Sequence, residues 1–115
     1  GTPYICEVLT DAGYSDIAYK LLMNEDCPGW LYQVLHGATT IWERWDSIRP
    51  DGSIIEGMNS FNHYSFGSIG DWLYRCALGI RETSPGYKTL EINPHPGGGI
   101  TYMKGSTITL SAECL

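Results

Sequence analysis

Two short runs hold most of the side chains with chemistry to offer a ligand. The first is Ala38-Thr39-Thr40-Ile41-Trp42-Glu43-Arg44-Trp45-Asp46. It sets one carboxylate between two indoles, with a guanidinium beside it and a second carboxylate three residues on. A sugar site needs this mix: indole faces stack on the C–H face of a pyranose, and a carboxylate polarises a water or hydroxyl. A packed helix with a surface salt bridge uses the same residues. The second run is Met58-Asn59-Ser60-Phe61-Asn62-His63-Tyr64. Its two amides, imidazole and phenol can hydrogen-bond several hydroxyls, and they equally suit a capped helix terminus with a satisfied histidine.

The remaining chemistry-bearing residues carry less. His36 lies in an apolar stretch and His95 between prolines, and both read as structural. Gly97-Gly98-Gly99 lacks the G-x-x-x-x-G-K-[ST] pattern of a phosphate loop. No Ser-His-Asp or Cys-His arrangement has supporting local context. Cys6, Cys27, Cys76 and Cys114 form no C-x-x-C pair and are too sparse for a disulfide scaffold, so they read as free thiols or small core residues, while their even count leaves one or two bridges open. No metal-ligating constellation and no cofactor motif are expected.

The elements that position these runs follow from periodicity. Pro3 suits a first helical turn after Thr2, and Tyr4, Ile5, Val8 and Leu9 recur at helical spacing until Ala12-Gly13. Ser15 opens a second helix with Ile17, Ala18, Leu21 and Leu22 on one face, stopped by Cys27-Pro28-Gly29. The short connection makes a helix hairpin. Thr40 is a candidate cap for a helix through Trp42, Glu43 and Trp45. Ser47 to Asn62 reads as a long loop, of a length that is usually functional or disordered. Ser60 or Asn62 starts a helix ending near Gly79. Its Gly67 and Gly70 predict a close neighbour. Near Thr83–Gly86 the pattern turns to alternation, with a strand at Thr89–Ile92 and a hairpin over Ile100–Lys104 and Thr107–Leu110.

Composition narrows the partners. The chain has 115 residues, 43% hydrophobic and only 17% charged, against the roughly 25% charged typical of soluble domains. Four Trp and eight Tyr with so little charge imply that much of the surface is normally covered. A net charge of −6 argues against nucleic acid and against an anionic membrane surface. No apolar run approaches the ~20 residues of a membrane-spanning helix. No basic segment precedes an apolar one at the start, so no signal peptide is expected, and the compartment stays open.

Taken in order, the runs form a recognisable series. Gly1-Thr2-Pro3-Tyr4, Trp30-Leu31-Tyr32, His36 to Asp46, Pro50-Asp51-Gly52-Ser53, Met58 to Tyr64, Gly70-Asp71-Trp72-Leu73-Tyr74-Arg75, Gly79-Ile80 and Pro94 to Gly99 together resemble the C-terminal end of the bacterial α-L-rhamnosidases of glycoside hydrolase family 78. The resemblance covers roughly residues 1–106.

The resemblance implies a mainly α chain: partial (α/α)6-barrel helices followed by a short antiparallel β tail from a β-sandwich domain. Residues 1–83 would be the C-terminal part of the catalytic barrel and residues 84–115 the start of the sandwich. It implies hydrolysis of terminal α-L-rhamnose from glycosides or polysaccharides with inversion. Glu43 matches the general base and His63 a sugar contact. Trp45, Trp42, Asn62 and Arg44 are the further candidate substrate-binding residues. The general acid would lie upstream. Inversion needs it roughly 6.5–9.5 Å from the base, and Asp46, three residues from Glu43, has no separate wall to work from. Two alternatives stand beside this reading: a non-catalytic carbohydrate-binding or structural module, and an (α/α)6 glycosidase for another sugar. The open faces of such a fragment would favour self-association.

Overall fold

The computed structural model describes residues 1–109 and 113–114. The chain divides into two compact units, Gly1–Ile69 and Gly70–Leu115.

In the first unit, α1 spans Thr2–Asp11, α2 Ser15–Leu22 and α3 Trp30–Leu35. Pro3 fits the first turn of α1, where its missing N–H costs nothing. Gly13 takes a φ of 87°, and the turn is closed by Gly13 N donating to Thr10 O and Tyr14 N to Leu9 O. The chain therefore reverses at once, and α1 packs on α2 through Cys6 and Thr10 against Ala18 and Tyr19, the buried residues of the two helices. The hairpin read from periodicity is present. Helix α2 stops at Leu22 rather than at Cys27, because Asn24 offers the backbone a better partner: its Oδ1 accepts from Asp26 N and its Nδ2 donates to Pro28 O.

No helix forms around Glu43. Residues 41–47 run as bends and turns, with neither helix nor strand. Thr40 is no helix cap; its hydroxyl donates to the Phe61 carbonyl. The reason is tertiary. Ile and Trp are indifferent helix formers, and the segment finds backbone partners across the fold instead. The long loop is real and carries its own turn. Ile48 bridges Ile54 antiparallel, Gly52 N donates to Arg49 O, and Asp51 Oδ1 accepts from Ser53 N.

A 3-10 turn at Ser65–Gly67 leads into α4, Ser68–Trp72, followed by a π-helical turn at Leu73–Ala77. This stretch starts a few residues later than the cap residues predicted. A Cβ added at Gly67 or Gly70 meets no atom within 4 Å, so the close neighbour that the paired glycines predicted is not among the described residues.

In the second unit, β1 (Ile80–Glu82) pairs antiparallel with β2 (Thr89–Ile92), placing Ile80 opposite Ile92 and Glu82 opposite Leu90. Strand β3, Glu113–Cys114, joins β2 in parallel. Gly79 must be glycine: its φ is 80°, and an added Cβ would lie 2.2 Å from the Asn93 carbonyl carbon. Among the described residues of this unit, Trp72, Cys76, Ala77 and Leu90 are buried and hydrophobic. Strand β1 was hidden in the sequence and precedes the pattern change near Thr83–Gly86. The hairpin expected over Ile100–Leu110 does not form: residues 101–109 carry no strand, and Leu110 lies outside the described residues. Gly105, the expected turn, instead sits where a Cβ would be 2.3 Å from Leu78 Cδ2. The chain is thus laid on the Leu78 side chain and not folded on itself.

Candidate active site

Helix α3 is the platform. Three of its six residues are buried and each donates a side-chain hydrogen bond to a loop carbonyl. Trp30 Nε1 reaches Phe66 O at 2.8 Å, Tyr32 OH reaches Ile48 O at 2.8 Å, and Gln33 Nε2 reaches Arg44 O at 3.1 Å. Buried donors demand acceptors, so the polar residues of this short helix fix three points of the loops beyond it. Burial pushes the Tyr32 phenol up, and the negative charges of Cys27, Asp46 and Asp51 add to the effect.

Aromatic packing sets the two tryptophans. Trp45 stacks on Phe66 with ring centroids 3.9 Å apart and meets Trp30 edge-on at 4.8 Å. Trp42 is 2% exposed and meets Phe61 edge-on at 5.8 Å. Both indoles are half-buried or buried and spend faces or edges on other rings.

The two chemistry-bearing runs are joined backbone to backbone. Glu43 N donates to Ser60 O at 2.8 Å, Ser60 N donates to Glu43 Oε2 at 2.7 Å, and His63 N donates to Ile41 O at 2.8 Å. Glu43 is half-buried. Its Oε1 has no hydrogen-bond donor among the described residues. Arg44 does not pair with it; the guanidinium Nε donates to Met58 O at 2.8 Å. The salt-bridged helix allowed by the sequence is therefore not what this segment forms. Below the joint, fully buried Ser47 donates from Oγ to Asn59 Oδ1 at 2.5 Å, and Asn59 Nδ2 donates to Ile55 O at 3.1 Å.

His63 is half-buried and stacks on Tyr64. Its Nδ1 accepts from Ser65 N at 3.2 Å. An imidazole that accepts at Nδ1 carries its hydrogen on Nε2, so this bond leaves Nε2–H as the ring's donor. Asn62 is exposed and its backbone N–H donates to Ser60 Oγ at 3.1 Å. Sequence reasoning singled out Glu43, Arg44, Trp42, Trp45, Asn62 and His63, and missed the roles of Ser60, Tyr32 and Gln33. Nothing local marks Ser60 as the partner of a carboxylate seventeen positions earlier.

Other features fall elsewhere. A cleft of about 370 Å³ lined by Trp30, Gln33, Val34, Thr40, Ile41 and Ile69 runs along the segment entering the site, without Glu43 in its lining. Cys27 is exposed, yet partial burial and then Asp46 push its thiol up, which leaves it a poor nucleophile. His36 stacks on Tyr32 and its Nδ1 lies 2.8 Å from Tyr32 O. His95 Nδ1 lies 3.2 Å from Cys76 O. Among the described residues, no group of three or more His, Cys, Asp or Glu is placed to hold a metal ion, and no helix is long and apolar enough to cross a membrane.

Residues 1–77 match the family described as bacterial alpha-L-rhamnosidase 6 hairpin glycosidase domain. An alpha-L-rhamnosidase of Streptomyces avermitilis is 47% identical over 96% of this chain, and one of Alteromonas sp. (strain LOR) is 41% identical over 98%. The chain covers 11% and 12% of those two proteins, so it spans about a tenth of the length of these relatives. Solved structures agree. The Streptomyces avermitilis enzyme complexed with L-rhamnose superposes with a TM-score of 0.81 at 50% identity, over 86% of this chain and 10% of that one. The Aspergillus terreus enzyme superposes with a TM-score of 0.83 at 45% identity, over 86% of this chain and 12% of that one. A chain whose helical region matches that domain throughout, at such identity to alpha-L-rhamnosidases, belongs to the bacterial alpha-L-rhamnosidase six-hairpin glycosidase family.

Proposed function

We propose that this chain is the base-bearing part of an inverting α-L-rhamnosidase that removes terminal α-L-rhamnose from glycosides or polysaccharides. Residues 1–83 belong to the catalytic barrel and residues 84–115 begin the sandwich. Glu43 is the general base: one carboxylate oxygen is tied to the backbone and the other takes the proton of the attacking water. His63 donates from Nε2 to a sugar hydroxyl. Asn62 and Arg44 line the rim, while Trp45 and Trp42 brace the wall. The general acid comes from another segment on the opposite side of the sugar.

The observation that carries this reading is the reciprocal Glu43–Ser60 bonding, which aims a half-buried carboxylate and anchors it to the run containing His63. Such orientation is what general-base catalysis needs. The test is turnover of an aryl α-L-rhamnoside by the full polypeptide carrying these residues, with Glu43→Gln as control. A fall in kcat of less than tenfold in Glu43→Gln would remove the base assignment. Turnover by residues 1–115 alone above that control would remove the assignment of the acid to another segment. The same reading has the isolated 115 residues self-associate through uncovered apolar side chains such as Tyr4 and Val8 of α1, 68% and 62% exposed.

A further inference from the structure

The Glu43–Ser60 joint uses two bonds between one pair of residues, which leaves the paired runs free to turn about the line joining them. Bonds flanking the joint limit that turn. On one side stands the backbone bond from His63 N to Ile41 O. On the other side the bonds come from side chains. Arg44 Nε reaches Met58 O, at the end of a side chain with much rotamer freedom. The second link joins Ser47 to Asn59, and Ser47 is 0% exposed. Ser47 Oγ accepts at 3.3 Å from Arg44 N, the amide of the peptide that follows Glu43, and donates to Asn59 Oδ1 at 2.5 Å. Asn59 Nδ2 donates onward to Ile55 O at 3.1 Å and to Ser47 O at 3.4 Å. The donors run one way, so the amide has one satisfied orientation; reversed, it would set an oxygen against two carbonyls. Bonds in such a chain polarise one another, and exclusion of water strengthens them. Every group involved lies within Gly1–Ile69, and Ser47 is already sealed there, so the link does not depend on what the rest of the polypeptide covers.

We infer that Asn59 is a positioning residue: through Ser47 it fixes the peptide after Glu43 against the residue before Ser60, and so sets the direction of the Glu43 carboxylate. This rests on the proposal that Glu43 is the general base. Asn59→Ala frees the Ser47 hydroxyl to turn to Arg44 O, 3.1 Å away within its own turn, and the two runs lose their buried link on that side. The carboxylate keeps its bond to Ser60 N but changes its aim, and a misaimed base removes the proton of water more slowly. Sugar contacts made by other side chains stay, so the loss falls on kcat and not on KM.

The experiment measures kcat and KM for an aryl α-L-rhamnoside, and inhibition by L-rhamnose, on the full polypeptide. Asn59→Ala and Ser47→Ala should each lower kcat about five- to fiftyfold, with KM and the L-rhamnose inhibition constant changed less than about twofold. The double variant should fall no more than about twofold below the worse single one, because both break the same link. In a Glu43→Gln background, Asn59→Ala should change kcat less than about twofold, since the group it aims is gone. A kcat within twofold of the unaltered protein in both single variants overturns the positioning role. So does a loss shared by KM and L-rhamnose inhibition, or one that persists undiminished in the Glu43→Gln background, as a merely structural link would give. Should Asn59→Ala fail to fold by circular dichroism, Ser47→Ala is judged by the same numbers, and failure of both to fold assigns the pair to stability and overturns the proposal. A Glu43→Gln variant that loses less than tenfold removes the base assignment itself, whereas a large loss there beside an indifferent Asn59→Ala removes only the positioning role.

Discussion

Glu43 and Ser60 hold each other at two points: the Glu43 amide donates to the Ser60 carbonyl at 2.8 Å, and the Ser60 amide donates to Glu43 Oε2 at 2.7 Å. The carboxylate is thus oriented by backbone and not by a neighbouring side chain, which makes its position insensitive to rotamer freedom on the partner.

Backbone orientation separates two substitutions at position 60. Ser60→Ala keeps both bonds to Glu43 and loses only the acceptor for Asn62 N, so kcat in the full polypeptide should stay within about threefold. Ser60→Pro removes the N–H that holds Oε2. Losing a hydrogen bond to a charged group costs about 1.5–3 kcal/mol, so kcat should drop roughly tenfold to a hundredfold. Equal kcat values for the two variants would show that the amide does not orient the base.

Glu43→Gln keeps an oxygen to accept from Ser60 N and should leave the fold unchanged by circular dichroism. In the full polypeptide, kcat should fall by about 10²–10⁴ while KM changes little, since only activation of water is lost. A parallel rise in KM would point to a binding role instead.

Tyr32 links stability to alkaline pH. Its hydroxyl is buried and donates to Ile48 O, and burial holds the phenol above its ordinary value of 10.0. A group whose pKa is raised by folding contributes stability that is complete below the unfolded value and is lost as pH rises through the folded one. The unfolding free energy should therefore fall above about pH 10. Tyr32→Phe should cost about 1–2 kcal/mol at neutral pH in urea titration and should flatten that alkaline slope.

Glu82 gives the opposite sign in the second unit. Its hydrogen bond with the Arg75 guanidinium holds the carboxyl below its ordinary 4.5, helped by its own backbone. The contribution is present above that value and is lost as pH falls through the lower folded one. Carboxyl titration by NMR should place Glu82 below the unpaired glutamates, and Arg75→Gln should raise it toward the ordinary range, with the backbone bond and Arg81 still holding it down in part.

Self-association is open to direct measurement. Sedimentation of the 115-residue chain should show species larger than a monomer at micromolar concentration. Charged replacements of Tyr4 and Val8, which are exposed on α1, should return it to a monomer.

The sequence by itself determined the helical hairpin, the long loop, the strand at Thr89–Ile92 and the two runs with chemistry to offer. These are local: periodicity, a proline at a helix start and glycine at a reversal act within a few residues. The motif order also carried the family. What the sequence could not decide was how the two runs meet. The spacing from Thr40 to Trp45 allows a helix, and the segment stays irregular because Ile41, Glu43 and Arg44 find partners at His63, Ser60 and Met58. The same is true of the tail, where Gly105 packs on Leu78 instead of turning a hairpin. Hydrogen bonds between distant segments outweigh propensities worth a few tenths of a kcal/mol per residue, and no window of sequence contains both partners.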